Sequence, residues 1–216
     1  MRSIPQTMLP LPNQLPFGIP LLDQKLAAVQ AGKFTVFYGS PYCISLSLLL
    51  SVRCQLPPEE GGFGSSVIFV DGGNTFNPYS VSSTARKYNL NPRSALQHIF
   101  ISRVFTAYQL TSLVVEKLNQ ALRDFESRLV VISDMTSLFL DRDIPKTEAK
   151  LMFNKLTLHL FELASKKKLA VLATHIPRFD QDLALESADG AVARADILTK
   201  LEEDNQFLKF VFGKTS

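Results

Sequence analysis

The sequence has no tryptophan, two cysteines and three histidines among its 216 residues. Two thiols, Cys43 and Cys54, are too few for a disulfide framework, and the scattered histidines show no metal-ligand spacing. A reducing compartment is the simplest setting for such thiols. No stretch approaches the roughly eighteen consecutive apolar residues that a membrane span requires, so no membrane partner is expected. Charge of one sign is also scarce. With 23 basic and 20 acidic side chains the formal net charge is +3, well short of the footprint of a dedicated nucleic-acid binder. The opening, MRSIPQTMLPLPNQLP, holds one basic residue and four prolines. It has no apolar core of the kind a signal peptide needs. An intracellular protein is expected, nuclear in a eukaryote and cytoplasmic in an archaeon.

What is present suits a single domain with a sizeable core, since 46% of the residues are hydrophobic and 20% charged. Sixteen phenylalanines fit a filled interior better than any particular chemistry. Residues 1–16 read as a proline-interrupted arm and 17–216 as the core domain. Short apolar runs near 34–38, 66–71, 96–104, 129–133 and 168–175 predict buried strands. Helical spacing predicts helices near 45–55, 79–87, 108–126 and 148–168, with Leu110, Val114, Leu118 and Leu122 on one face of the third. PPEEGGFGSS, 57–66, reads as a flexible connection, and 176–194 as a long polar loop. ADILTKLEED and NQFLKFVF predict a final strand pair around a turn at Asp204–Asn205. The alternation implies an α/β fold: a mostly parallel, twisted sheet with helices on both faces and an antiparallel C-terminal edge.

GSPYCISLS lies between a strand and a helix, the order that cradles phosphates in a P-loop. Such a loop reads GxxxxGK followed by serine or threonine, its lysine reaching the β/γ-phosphates and its hydroxyl helping to hold magnesium. Counted from Gly39, the last three positions are Ile44, Ser45 and Leu46, so all three chemistries are absent. Pro41 removes a further amide donor. Gly39, Ser40, Pro41, Tyr42, Cys43, Ile44, Ser45 and Leu46 therefore read as a degenerate nucleotide loop. A helix N-terminus could still hold ATP and magnesium weakly, but no cofactor is expected. Two aspartates end buried strands, Asp71 after VIFV and Asp134 after LVVIS, where parallel sheets carry their ligand crevice. Gly72 and Gly73 follow Asp71, leaving no adjacent carboxylate to activate water. His175 ends AVLATH and could sense a ligand or donate a hydrogen bond.

The order of these segments resembles the core of RecA-like recombinases, specifically the archaeal and eukaryotic branch and its divergent paralogs. GIPLLDQKL resembles the entry to that core, with Gly18, Leu22, Asp23 and Leu26 in place. GKFTVFYG, 32–39, resembles the strand entering Walker A. VIFVDGGNTFNPYSV, 67–81, resembles the segment after the second core strand, retaining Asp71, Thr75, Phe76 and Pro78. FISRVFTAYQLTSLVVEKL, 100–118, resembles the next strand and helix. LVVISDMTSLF resembles Walker B, with its aspartate at Asp134. VLATH places His175 where the family's nucleotide-sensing glutamine commonly lies. The resemblance spans 17–213 and implies a RecA-like P-loop NTPase core. It also implies that the family's catalytic glutamate falls on Gly73, so that no catalytic residue is expected.

The resemblance puts the family's DNA-binding loops after Phe139 and at about 176–194, which contains Arg178 and Arg194. Asp180, Asp182 and Glu186 share the second loop, a poor electrostatic funnel for single strands. Lys166, Lys167 and Lys168 form the strongest basic run, equally suited to closing a helix. Weak single-stranded DNA contact is the nucleic-acid expectation. The partner that the resemblance implies is another recombinase or recombinase paralog in a hetero-oligomer. The expected function is that of a non-catalytic accessory or mediator in homologous recombination and DNA repair. Two alternatives stand beside it: an ATP-binding regulatory switch without efficient hydrolysis, and a structural adaptor outside DNA repair.

Overall fold

Four apolar runs pair into the centre of one sheet because neither of their faces tolerates water. The computed structural model describes residues 12–176, 194–204 and 207–213. Strands β1 (Gln14–Leu15) and β2 (Val29–Gln30) make a small antiparallel pair. The main sheet contains β3 (Phe34–Gly39), β4 (Val67–Asp71), β5 (Ile99–Arg103), β6 (Leu129–Ser133), β7 (Ala170–His175), β8 (Ile197–Asp204) and β9 (Phe207–Gly213). Its order is β5-β4-β6-β7-β3-β8-β9. Every neighbouring pair is parallel except β8 with β9. The expected antiparallel C-terminal edge is therefore present.

Alternation along each strand divides the interior into two clusters, as a period of two requires. Phe34, Val36, Ile68, Val70, Val130, Ile132, Val171 and Ala173 face one side. There they meet α5 (Ala107–Ser112), α6 (Leu118–Asp124) and the long α7 (Lys146–Lys167). Phe37, Val67, Phe69, Leu129, Val131 and Leu172 face the other. That side is covered by α1 (Pro20–Lys25), α2 (Tyr42–Arg53), α3 (Pro78–Lys87) and α4 (Pro92–Gln97). Each such side chain contributes about 1.5–3 kcal/mol by leaving water.

Three local expectations are revised. The helix expected over 108–126 is interrupted by a π-helical turn, Leu113–Lys117, between α5 and α6. Residues 96–97, expected to open the third strand, instead end α4, Pro92–Gln97. Asn91 accepts hydrogen bonds from the Arg93 and Ser94 amides, and Pro92 supplies a preset φ at the first helical position. The 57–66 connection is well bonded: Pro58–Glu60 form a 3-10 turn, Gly61 is left-handed at φ 78°, and Phe63 is buried. The arm expected over 1–16 is described only from residue 12, and Leu15 within it is fully buried. The loop expected at 176–194 lies almost wholly outside the described residues.

Candidate functional site

The C-terminal edge of a parallel sheet is where ligands are usually held, and β3, β4, β6 and β7 bring Gly39, Asp71, Asp134 and His175 there. At the end of β3 the chain turns quickly. Gly39 has φ +108°, and a Cβ at this position would lie 2.4 Å from the Leu201 carbonyl oxygen of β8. Only glycine permits both that φ and that approach. Helix α2 then begins at Tyr42, three residues earlier than the expected start at 45. Cys43, Ile44, Ser45 and Leu46 are thus helical residues, and the turn itself is Ser40 and Pro41.

The amides at this helix start already have acceptors. The Tyr42 amide donates to Ser40 Oγ at 3.2 Å, the Cys43 amide to the Ser40 carbonyl at 3.0 Å, and the Ile44 amide to the Pro41 carbonyl at 3.0 Å. The side chains have equally defined places. Cys43 and Leu46 are buried among the core residues, Ser45 is exposed, and the Tyr42 ring is 47% exposed. Burial pushes the Cys43 thiol up to about 12, which removes it from thiolate chemistry at neutral pH.

Asp71 is fully buried and organises its own loop. One of its carboxylate oxygens accepts from the Thr75 amide at 2.8 Å and the Thr75 hydroxyl at 3.2 Å. The other accepts from the Phe76 amide at 3.2 Å and lies 3.5 Å from Arg103 Nε of β5. Thr75 also hydrogen-bonds Ser133, tying the loop to β6. Between these anchors, Gly72 and Gly73 lie directly on the end of β6. A Cβ on Gly72 would meet the Ser133 carbonyl oxygen at 2.9 Å. On Gly73 it would meet Asp134 Cβ at 2.7 Å and Asp134 Oδ2 at 2.8 Å.

Asp134 is fully buried and holds φ +50°, an arrangement the surrounding chain must enforce. Its amide donates to Thr174 Oγ1 at 3.0 Å, and the Met135 amide to the Thr174 carbonyl at 2.9 Å. Thr136 hydrogen-bonds His175 Nδ1, and His175 is itself buried. The turn after β6 is therefore fastened to β7, the loop after β4 covers it, and both carboxylates are sheltered from solvent. The contribution of Gly72, Gly73, Thr75 and Thr136 was missed from sequence. The double glycine was its one visible signal.

The basic candidates occupy the opposite edge. Lys166, Lys167 and Lys168 are exposed at the end of α7, just before β7 begins. Lys166 pairs with Glu162 at 2.8 Å, and Lys168 closes the helix in a left-handed conformation at φ 56°. Arg194 also precedes its strand, β8, and donates to the Asn154 carbonyl, Asn154 Oδ1 and Thr157 Oγ1 of α7 at 3.0–3.2 Å. Arg178 lies outside the described residues. Among the described residues no group of three or more His, Cys, Asp or Glu is placed to hold a metal ion, and no helix is long and apolar enough to cross a membrane.

The family model for Rad51 matches residues 17–193. The chain belongs to the Rad51 family. The match takes in the strand entering the Gly39 turn, both strand-end aspartates and His175. Membership in the Rad51 family makes this a recombination- and repair-related protein on a RecA-like α/β core. Members of the family form oligomers and bind DNA.

Proposed function

We propose that this chain is a non-hydrolysing Rad51-family protein that serves as an accessory or mediator in homologous recombination and DNA repair. It does so through hetero-oligomeric contact with another recombinase or recombinase paralog. The observation that carries the reading is the packing of Gly73 on Asp134. Phosphoryl transfer needs a carboxylate open to magnesium and a second group to orient water. Asp134 is buried beneath Gly73, and a Cβ at position 73 would overlap it. Asp71 is engaged by the Thr75 and Phe76 amides. The degenerate loop supports the same conclusion, because its first amides bond to Ser40 and Pro41 and its residues include no phosphate-reaching lysine.

Titration with ATP and magnesium in a calorimeter tests whether the degenerate loop is empty of nucleotide, as this reading requires. No heat of binding up to millimolar nucleotide is expected. Saturation at micromolar nucleotide would overturn it and make the chain an ATP-binding switch. The mediator half is tested by adding the protein to a purified recombinase from the same cell and following assembly on single-stranded DNA. A changed assembly rate is expected, and an unchanged rate across a tenfold molar excess would refute the role.

A further inference from the structure

Two arginines at the N-terminal edge of the sheet are held without a carboxylate partner among the described residues. Arg53, in the last turn of α2, is only 5% exposed. Its Nε donates to the Pro16 carbonyl at 2.8 Å, its Nη2 to the Glu60 carbonyl at 3.3 Å, and its guanidinium lies 4.9 Å from the centre of the Tyr88 ring. Arg128, just before β6, donates from Nη2 to the Pro12 carbonyl at 3.2 Å and lies 4.6 Å from the centre of the Phe63 ring. Its other terminal nitrogen, Nη1, is buried with no hydrogen-bond partner. Holding one buried and one half-buried cation without counter-charge is costly, so a specific role for their donors is to be sought in what they touch.

Both touch the same segment. From Pro12 to Phe17 the chain reads PNQLPF, in which two prolines lack an amide hydrogen and leave carbonyl oxygens as the groups to be read. Arg128 takes the Pro12 carbonyl, the Ala31 amide the Asn13 carbonyl at 2.8 Å, Arg53 the Pro16 carbonyl, and the Tyr88 hydroxyl the Phe17 carbonyl at 3.3 Å. Gly18 is shaped to the same grip. A Cβ there would lie 2.0 Å from Arg53 Nη1, and its φ is +69°. Between these grips Gln14–Leu15 pair with Val29–Gln30 as β1 and β2, so the segment is held along its whole length.

We propose that Arg53 and Arg128 form a two-point latch that holds Pro12–Phe17, with β1 at its centre, against the N-terminal edge of the sheet. The latch fixes Pro12 to the core. That point lies beside the starts of β3 and β6, at the sheet edge opposite Gly39 and Asp134.

Hydrogen exchange followed residue by residue tests the latch. R128Q and Y88F, both at half-buried positions, should accelerate exchange at the Leu15 and Phe17 amides at least tenfold, with the β4 and β6 amides unchanged. R128K should fall between wild type and R128Q, since an ammonium can still reach one carbonyl. R53M should exceed either, and the two milder variants keep the test valid if it fails to fold. Unchanged exchange at Leu15 and Phe17, or an equal change at every amide, would overturn the latch. Spin labels at N13C, an exposed position, and either N74C or K168C test where the segment is held. A shorter distance to 168 than to 74 is expected, and the reverse would refute the placement.

Discussion

Replacing Gly73 is the sharpest perturbation of the closed edge. An alanine Cβ would sit 2.7 Å from Asp134 Cβ, 2.8 Å from Asp134 Oδ2 and 3.0 Å from Thr75 Cγ2. To restore ordinary contact the loop and the turn must part by about 0.7 Å. Neither side can move freely. Asp134 is fastened by its amide to Thr174 and held at φ +50°, while Thr75 is fastened to Asp71 and Ser133. The φ of Gly73 is not in the left-handed range, so the cost is one of packing, about 1–3 kcal/mol for G73A. G73E places the family's catalytic carboxylate type beside buried Asp134 and adds like-charge repulsion in a low dielectric. Its loss should therefore exceed that of G73A, with no gain of ATP hydrolysis. Urea unfolding followed by circular dichroism gives both numbers, provided the slope is unchanged. G73A within about 0.5 kcal/mol of wild type, the range of an unconstrained surface change, would refute the packing argument. Hydrolysis by G73E would refute the functional one.

Three further outcomes are expected. D71A removes the acceptor of the Thr75 and Phe76 amides and should cost about 3 kcal/mol in urea unfolding, whereas a carboxylate kept only for catalysis would give no loss on removal. Both thiols are buried, with Cys43 pushed up to about 12 and Cys54 raised by burial as well. Neither should react with an aromatic disulfide reagent at pH 8 until denaturant is added, and rapid native labelling of either would contradict the packing of α2. Burial also lowers the pKa of His159, whose Nε2 has no hydrogen-bond partner. Since the unfolded chain then binds the proton more readily, stability should be fully present above the ordinary histidine range and fall as pH drops through it. H159Q should flatten this dependence, measured as the urea midpoint between pH 7.5 and 5.5; an equal slope in both proteins would exclude His159 as its source.

The sheet was legible because its strands carry their own evidence. FTVFY, VIFVD, LVVIS and AVLATH are apolar runs too short for helices and flanked by turn residues, and each is buried on both faces. The strand pair around 204–205 was equally readable. Helix α4 was not, because PRSALQ is too short to show a helical period; its signal was the Asn91–Pro92 start, a cap rather than a repeat. The early start of α2 was hidden by Pro41, which reads as a loop residue but sits at the helix cap. At the edge, the sequence exposed what was missing from the P-loop pattern and left the consequence unread. Gly72 and Gly73 could be seen as the lack of a carboxylate. That they pack on Ser133 and Asp134 is a contact between distant segments, which no local pattern encodes. The same limit hid the latch, since Pro12, Arg53, Tyr88 and Arg128 meet only in three dimensions.

On the proposed reading, closure of the edge also links two separated features, the loop without a phosphate-reaching lysine and the glycine at 73. An open nucleotide site leaves helix amides and strand-end carboxylates unmet until a ligand arrives, and the fold then gains stability that grows with the logarithm of ligand concentration above Kd. Here the Tyr42, Cys43 and Ile44 amides are met by Ser40 and Pro41, and Asp71 by Thr75, Phe76 and Arg103. Each of these bonds stabilises the empty protein, and each would have to be broken before phosphate or magnesium could enter. A lysine placed at position 45 would project from a helix whose first amides remain engaged, and a glutamate placed at 73 would collide with Asp134. On the proposed reading neither change alone yields hydrolysis. On the proposed reading the core is a permanently formed platform rather than a nucleotide-gated one. Its interactions must then be set by partner concentration, not by turnover.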